Sequence, residues 1–144
     1  MLEKIAINNF KCFESLDLPL KSLNVFSGLN GMGKSTIIQS LLVLKQSEES
    51  NYLPQSICLN GNYVNVGMAQ DILYEYAENE IIELKFWERE KSFNVKIHYK
   101  KDADVLETES IGKYHDISLF NEHFEYLNAD RKSPQVIYPK SSFH

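Results

Sequence analysis

The chain has 144 residues, 43% of them hydrophobic and 24% charged, with a formal net charge of −5. That length fits one domain with an ordinary core. No run of about 18 apolar residues exists, so no membrane-spanning helix is expected, and no basic stripe marks a broad nucleic-acid surface.

The opening Met1-Leu2-Glu3-Lys4-Ile5 lacks the apolar stretch of a signal peptide. Cys12 and Cys58 have no framework spacing and fit a reducing cytoplasm. Ile5 and Ile7 alternate with Lys4, Ala6 and Asn8, which predicts a first strand. Leu16-Asp17-Leu18 predicts a returning strand that Pro19 ends. Leu23 to Ser27 is a short apolar run and predicts a third, buried strand.

That run leads into Gly28-Leu29-Asn30-Gly31-Met32-Gly33-Lys34-Ser35-Thr36, which fills the pattern G-x-x-x-x-G-K-[ST]. A helix is predicted from Lys34 to Gln46. Ile37, Ile38, Leu41, Leu42 and Leu44 form its apolar face, with Gln39, Ser40, Lys45 and Gln46 mostly elsewhere. A phosphate-binding loop needs this strand–loop–helix context. Glycines at 28, 31 and 33 remove Cβ atoms and permit positive φ. Successive N–H groups can then turn inward around an anion. The following helix aims free N–H groups and a positive dipole end at the same spot. Lys34 is expected at the β- and γ-phosphates, Ser35 at Mg²⁺, and Thr36 near the α-phosphate. The plainer alternative is a glycine-rich turn whose Lys and Ser are surface residues. The complete motif in its required context favours the phosphate loop.

Beyond the helix, Ser47 to Pro54 reads as a polar loop. Asn60-Gly61 signals a turn and Tyr63 to Val66 a short strand. Ala69 to Tyr76 reads as one or two helical turns. Ile82, Leu84 and Phe86 then alternate with polar residues, as do Phe93, Val95, Ile97 and Tyr99, predicting an antiparallel hairpin with one wet face. Val105 to Glu109 adds a third strand and Phe124 to Leu127 another. Ser133 to His144 has Pro134 and Pro139 and no periodicity. A plain βαβ fold would alternate strand and helix; here one helix is followed by mostly antiparallel strand.

The stretch Ile5-x-Ile7-x-Asn9-Phe10-Lys11-Cys12-Phe13, a strand, and then Gly28-Leu29-Asn30-Gly31-Met32-Gly33-Lys34-Ser35 resembles the opening of ABC-type ATPase heads. These include SMC proteins, RecF, the OLD-family nucleases and the bacterial "AAA family ATPase" proteins of OLD and Septu-like type. In that group the entry strand ends in an Asn-Phe-basic step, and the loop reads G-x-N-G-x-G-K-S. Leu41 to Ser47, Val66 to Leu73 and Tyr126 to Pro139 carry weaker likeness. The resemblance implies an α/β P-loop NTPase, an ABC-ATPase-like N-terminal lobe with an antiparallel β-subdomain. Residues 1–47 would hold the entry strands, loop and helix, residues 60–130 the antiparallel region, and residues 133–144 an irregular tail. ATP with Mg²⁺ would bind through Asn30, Gly31, Gly33, Lys34, Ser35 and Thr36.

Lys11 falls where related heads carry a basic residue near the nucleotide, or else is a solvated lysine at a strand end. Gln70 and Asp71 fall where a Q-loop would lie, or else form an ordinary loop pair with Asp71 capping a short helix. Arg131 lies in a family-like stretch or is a surface arginine.

Four apolar residues ending in Asp-Glu, which would hold Mg²⁺ and polarise water, do not occur in this sequence. Nor does an LSGGQ-like signature or a histidine switch; His98, His115, His123 and His144 read as surface residues. In the family these parts come from the C-terminal half of the head. The expectation is therefore a first lobe with no catalytic residue of its own, whose hydrolysis needs that second half, and which self-associates or meets that half. DNA belongs to the full-length family rather than to any feature here. A small P-loop kinase or GTPase, and a non-enzymatic nucleotide-gated assembly subunit, are the alternatives.

Overall fold

The computed structural model describes residues 1–24, 33–121 and 124–127, with the Lys34 side chain outside the described atoms. Strands β1 (Lys4–Phe10) and β2 (Phe13–Pro19) precede helix α1 (Lys34–Glu49). Strand β3 (Ser56–Cys58) and the short helix α2 (Ala69–Ile72) follow. Strands β4 (Ile81–Glu88), β5 (Lys91–His98) and β6 (Val105–Ile111) complete the sheet, and 3₁₀ turns lie at Tyr114–Asp116 and Ser118–Phe120.

The six strands form one sheet in the order β2-β1-β4-β5-β6-β3. Every pairing is antiparallel. Period-two alternation sets which face of each strand is buried. Ile82, Leu84 and Phe86 of β4 and Phe93, Val95 and Ile97 of β5 are all buried. Their register pairs Ile82 with Ile97, Leu84 with Val95 and Phe86 with Phe93, so each apolar row faces the core as a row. Ile5 and Ile7 extend these rows across β1, opposite Phe86 and Leu84. The core continues into α1 through Ile37, Val43 and Leu44, and into the second 3₁₀ turn through Leu119 and Phe120.

The hairpin, the β6 strand, the first two strands and the helical turn at 69–72 match the sequence reading. Other expectations are corrected. The helix runs to Glu49, not Gln46, so the polar loop begins only after it, and an unpredicted strand, β3, follows that loop. Tyr63 to Val66 is not a strand. Only an isolated bridge joins Asn60 to Asn65, because the N–H groups of Tyr63 and Val64 are taken by the Gln46 side chain. Phe124 to Leu127 has no regular structure; the rings of Phe124 and Tyr126 pack edge-on against Tyr63 instead.

The polar side of α1 is also corrected. Ser40, Lys45, Gln46 and Ser47 are all buried, so the helix is enclosed on most of its circumference. Burial of such groups requires partners. Ser40 and Ser47 donate to helix carbonyls, Gln46 to Cys58 O, and Lys45 Nζ to Asn121 O while lying near Glu48 and Glu49.

The predicted third strand lies largely outside the described residues. Its first two positions are not strand: Leu23 is 82% exposed, and Asn24 closes a turn by accepting from Lys21 N–H and donating to Lys21 O.

Candidate functional site

The described part of the loop motif is its end and the helix that follows. Gly33 is the N-cap of α1 in a left-handed conformation, φ 88° and ψ 1°. Glycine meets that demand without the cost a Cβ would add. The first helical bond runs from Ile37 N–H to Gly33 O at 3.2 Å. The N–H groups ahead of it have no partner within the helix. Among the described residues no side chain caps this end, and no acidic residue lies in the first turn. Helices usually neutralise their positive end with an Asp, Glu, Ser or Thr. Leaving it bare suits an incoming anion.

Ser35 is exposed at the first turn. Thr36 is buried, and its hydroxyl lies 3.9 Å from Cys12 Sγ in the turn between β1 and β2. Asn30 and Gly31 lie outside the described residues, as does Arg131. Among the described residues no group of three or more His, Cys, Asp or Glu is placed to hold a metal.

Lys11 stands beside the same helix. It follows Asn9 and Phe10, where the end of β1 and the turn after it hold two left-handed non-glycine residues, Asn9 (φ 59°) and Lys11 (φ 53°). Asn tolerates this conformation and Lys does so at a cost. The turn is tied down on several sides. Lys11 N–H donates to Ile72 O (2.7 Å), Tyr74 N–H to Asn9 O (3.0 Å), and Asn9 Nδ2 to Ile81 O (3.0 Å). Lys11 Nζ donates to Gln39 Oε1 at 2.7 Å, one turn into α1 from Ser35. Burial lowers the pKa of this ammonium below its usual range, with Asp71 and Cys12 opposing. Lys11 is thus held against the loop helix rather than free in solvent.

Gln70 and Asp71 have structural partners. Asp71 accepts from Met68 N–H at 2.8 Å and caps α2. Gln70 exchanges two hydrogen bonds with Asp102, one of them to its backbone N–H. His98 pairs with Glu109 at 3.5 Å on the outer sheet face, and His115 stacks on Tyr114.

The sequence reading missed Cys12 and Phe13 as neighbours of the loop helix, and Gln39 as the helix residue that receives Lys11. Cys12 and Phe13 sit next to the Asn9-Phe10-Lys11 step, but nothing in their spacing shows that the turn folds back against residue 33.

A G-x-x-x-x-G-K-S segment entering a bare helix N-terminus defines the class of the P-loop NTPases. The chain belongs to the AAA ATPase domain family, whose model matches residues 1–142. That makes it a member of an ATP-binding ATPase family. It is similar to the DNA replication and repair protein RecF of Cytophaga hutchinsonii, 33% identical over 122 residues, which is 82% of this chain and 30% of that protein. RecF of Actinobacillus pleuropneumoniae is 26% identical over 106 residues, 73% of this chain and 26% of that protein. The OLD nuclease of Thermus scotoductus is 44% identical over 41 residues, 28% of this chain and 8% of that protein. The chain therefore spans less than a third of the length of these curated relatives. These relatives match an N-terminal SMC/RecF/OLD-like ATPase region. Among the described residues no helix is long and apolar enough to cross a membrane.

Proposed function

We propose that the chain is the N-terminal, ATP-binding lobe of an ABC-type ATPase head. ATP would be held by Asn30, Gly31, Gly33, Lys34, Ser35 and Thr36, with Lys11 near the nucleotide. The observation that carries this reading is the complete loop motif feeding the uncapped, acid-free N-terminus of α1. Such an end offers N–H donors and a positive dipole to phosphate oxygens. Ser35 would give its hydroxyl to Mg²⁺, which when bound would neutralise charge on the β- and γ-phosphates.

Hydrolysis requires a carboxylate that polarises water, and no Asp-Glu pair after four apolar residues occurs in this sequence. In this reading the C-terminal half of a head supplies it, by continuation of the chain or by association. DNA is a partner of the longer protein only, by likeness to proteins named for DNA replication and repair.

The test is titration of the chain with ATP–Mg²⁺, alongside a turnover assay. We expect saturable binding, negligible turnover, and loss of binding in Lys34→Ala. Binding that survives Lys34→Ala unchanged removes the loop from the site. Sustained turnover by the isolated chain removes the need for a second half.

A further inference from the structure

Gly33 backs directly onto the turn between β1 and β2. A Cβ built at this residue would collide with Phe13 Cζ, and would lie 3.1 Å from both Phe13 Cε1 and Cys12 Sγ. The ring thus occupies the volume that any other residue type would need. Phe13 is itself well anchored. It pairs across the turn with Phe10, which is 1% exposed, and it packs against the central core. Cys12, the residue before it, reaches Thr36 Oγ1 at 3.9 Å in the first turn of α1. Packing therefore runs from the core through Phe13 to Gly33, the residue that starts α1.

Core packing fixes the body of α1, but among the described residues no side chain caps its start. The placement of its first turn then depends on what Gly33 rests against. We infer that Phe13 is a positioning residue for nucleotide binding: its ring is the stop that sets Gly33, and through it the first N–H groups of α1. This rests on the reading of residues 28–36 as the nucleotide loop. Position matters because hydrogen bonds to phosphate hold over only a few tenths of an ångström, and binding groups displaced by about 1 Å lose much of their effect. The lost ring would leave a void beside Gly33 that the glycine backbone, with its wide conformational freedom, can move into.

The same contact could be plain core filling. Leu18 is the control, because it lies on the same strand, opposite Ile5, and packs against the same core. ATP–Mg²⁺ affinity and the ligand-free thermal midpoint would be measured for the full chain and for Lys34→Ala, Phe13→Leu, Phe13→Val, Phe13→Ala and Leu18→Ala. Phe13→Ala is expected to weaken binding by about tenfold or more, with Phe13→Val carrying the same test if the alanine variant does not fold. Phe13→Leu, which refills most of the volume, should bind within about threefold of wild type. Leu18→Ala should lower the midpoint and leave affinity unchanged. Wild-type affinity in Phe13→Ala or Phe13→Val, with binding lost in Lys34→Ala, overturns the inference and leaves the loop reading standing. Equal weakening by the Phe13 and Leu18 variants also overturns it, as a general effect of destabilisation. Unchanged binding in Lys34→Ala instead overturns the loop reading itself.

Discussion

Gln46 Nε2 donates to the carbonyl of Cys58 at 3.1 Å, fixing the last turns of α1 to the end of β3. The same side chain uses its Oε1 to accept from Tyr63 N–H (3.2 Å) and Val64 N–H (3.0 Å). One buried amide therefore serves three backbone groups, one at the end of β3 and two in a segment that has no strand partner of its own. Replacing it with an apolar residue of similar size would leave those groups unpaired, and each buried unpaired group costs about 1–3 kcal/mol. Gln46→Leu is expected to destabilise the fold by about 3 kcal/mol. Urea unfolding should show a lower midpoint with an unchanged slope. A loss under about 1 kcal/mol would mean that water or a shifted backbone replaces the amide.

Tyr63 reports on the same junction through its hydroxyl, which donates to Glu49 Oε1 at 3.1 Å. Burial, then the hydrogen bond and charge of Glu49, then the charge of Glu48, push its pKa up to about 12. The neutral phenol is thus favoured in the folded state. Its contribution is fully present below the unfolded tyrosine value near 10 and is lost as pH rises through about 12. Spectrophotometric titration of the eight tyrosines should show a late step that Tyr63→Phe removes. Glu49→Gln should move that step to lower pH. A titration unchanged by Tyr63→Phe would assign the late step elsewhere.

The parts legible in the sequence were those with a strong local code. Alternation in β4 and β5 survives because one face is buried and the other more open, so pattern and register agree; in β1 Ala6 is buried along with Ile5 and Ile7, and the apolar composition carried the reading. At the loop, the start of α1 was legible because a glycine ahead of Lys34-Ser35 answers one local demand, the left-handed conformation at residue 33. Tyr63 to Val66 had strand-like composition, but its hydrogen bonds went to a side chain 17 and 18 positions away. The polar residues of α1 looked solvent-facing because their partners, Cys58 O and Asn121 O, are distant in sequence. The contact of Phe13 with Gly33 is of the same kind. It depends on how a turn at residues 11 and 12 folds back, which no periodicity encodes.

Glu88 gives the fold an acid-sensitive joint between the end of β4 and the second 3₁₀ turn. Its carboxylate accepts from Ser118 N–H (3.1 Å) and the Ser118 hydroxyl, and lies 3.0 Å from the Met1 ammonium. Burial works to raise its pKa, but the bonds from Ser118 and the ammonium outweigh this and hold it below the ordinary value of 4.5. Because the folded value is depressed, the contribution is present above pH 4.5 and is lost as pH falls through the lower folded value. Acid unfolding followed by circular dichroism should therefore steepen below that point. Ser118→Ala should shift the loss to higher pH, and Glu88→Gln should flatten this part of the profile. A profile that Glu88→Gln leaves unaltered would assign the acid sensitivity to other carboxylates.

The two thiols offer a direct readout of the loop helix. Cys12 is exposed, whereas Cys58 is buried. Burial also raises the Cys58 pKa, with hydrogen bonds from Ser47 and its own backbone opposing, so both access and thiolate content are low. An aromatic disulfide reagent should label Cys12 in the native protein and reach Cys58 only on unfolding. Cys12 Sγ lies 3.9 Å from Thr36 Oγ1, in the helix turn proposed to meet the nucleotide. Saturating ATP–Mg²⁺ should therefore slow Cys12 labelling, because a filled loop holds Thr36 and Gly33 closed against the turn. The slowing should vanish in Lys34→Ala, whose labelling rate without nucleotide should match wild type. Equal rates with and without nucleotide, in a protein shown by titration to bind it, would place the nucleotide away from this end of α1.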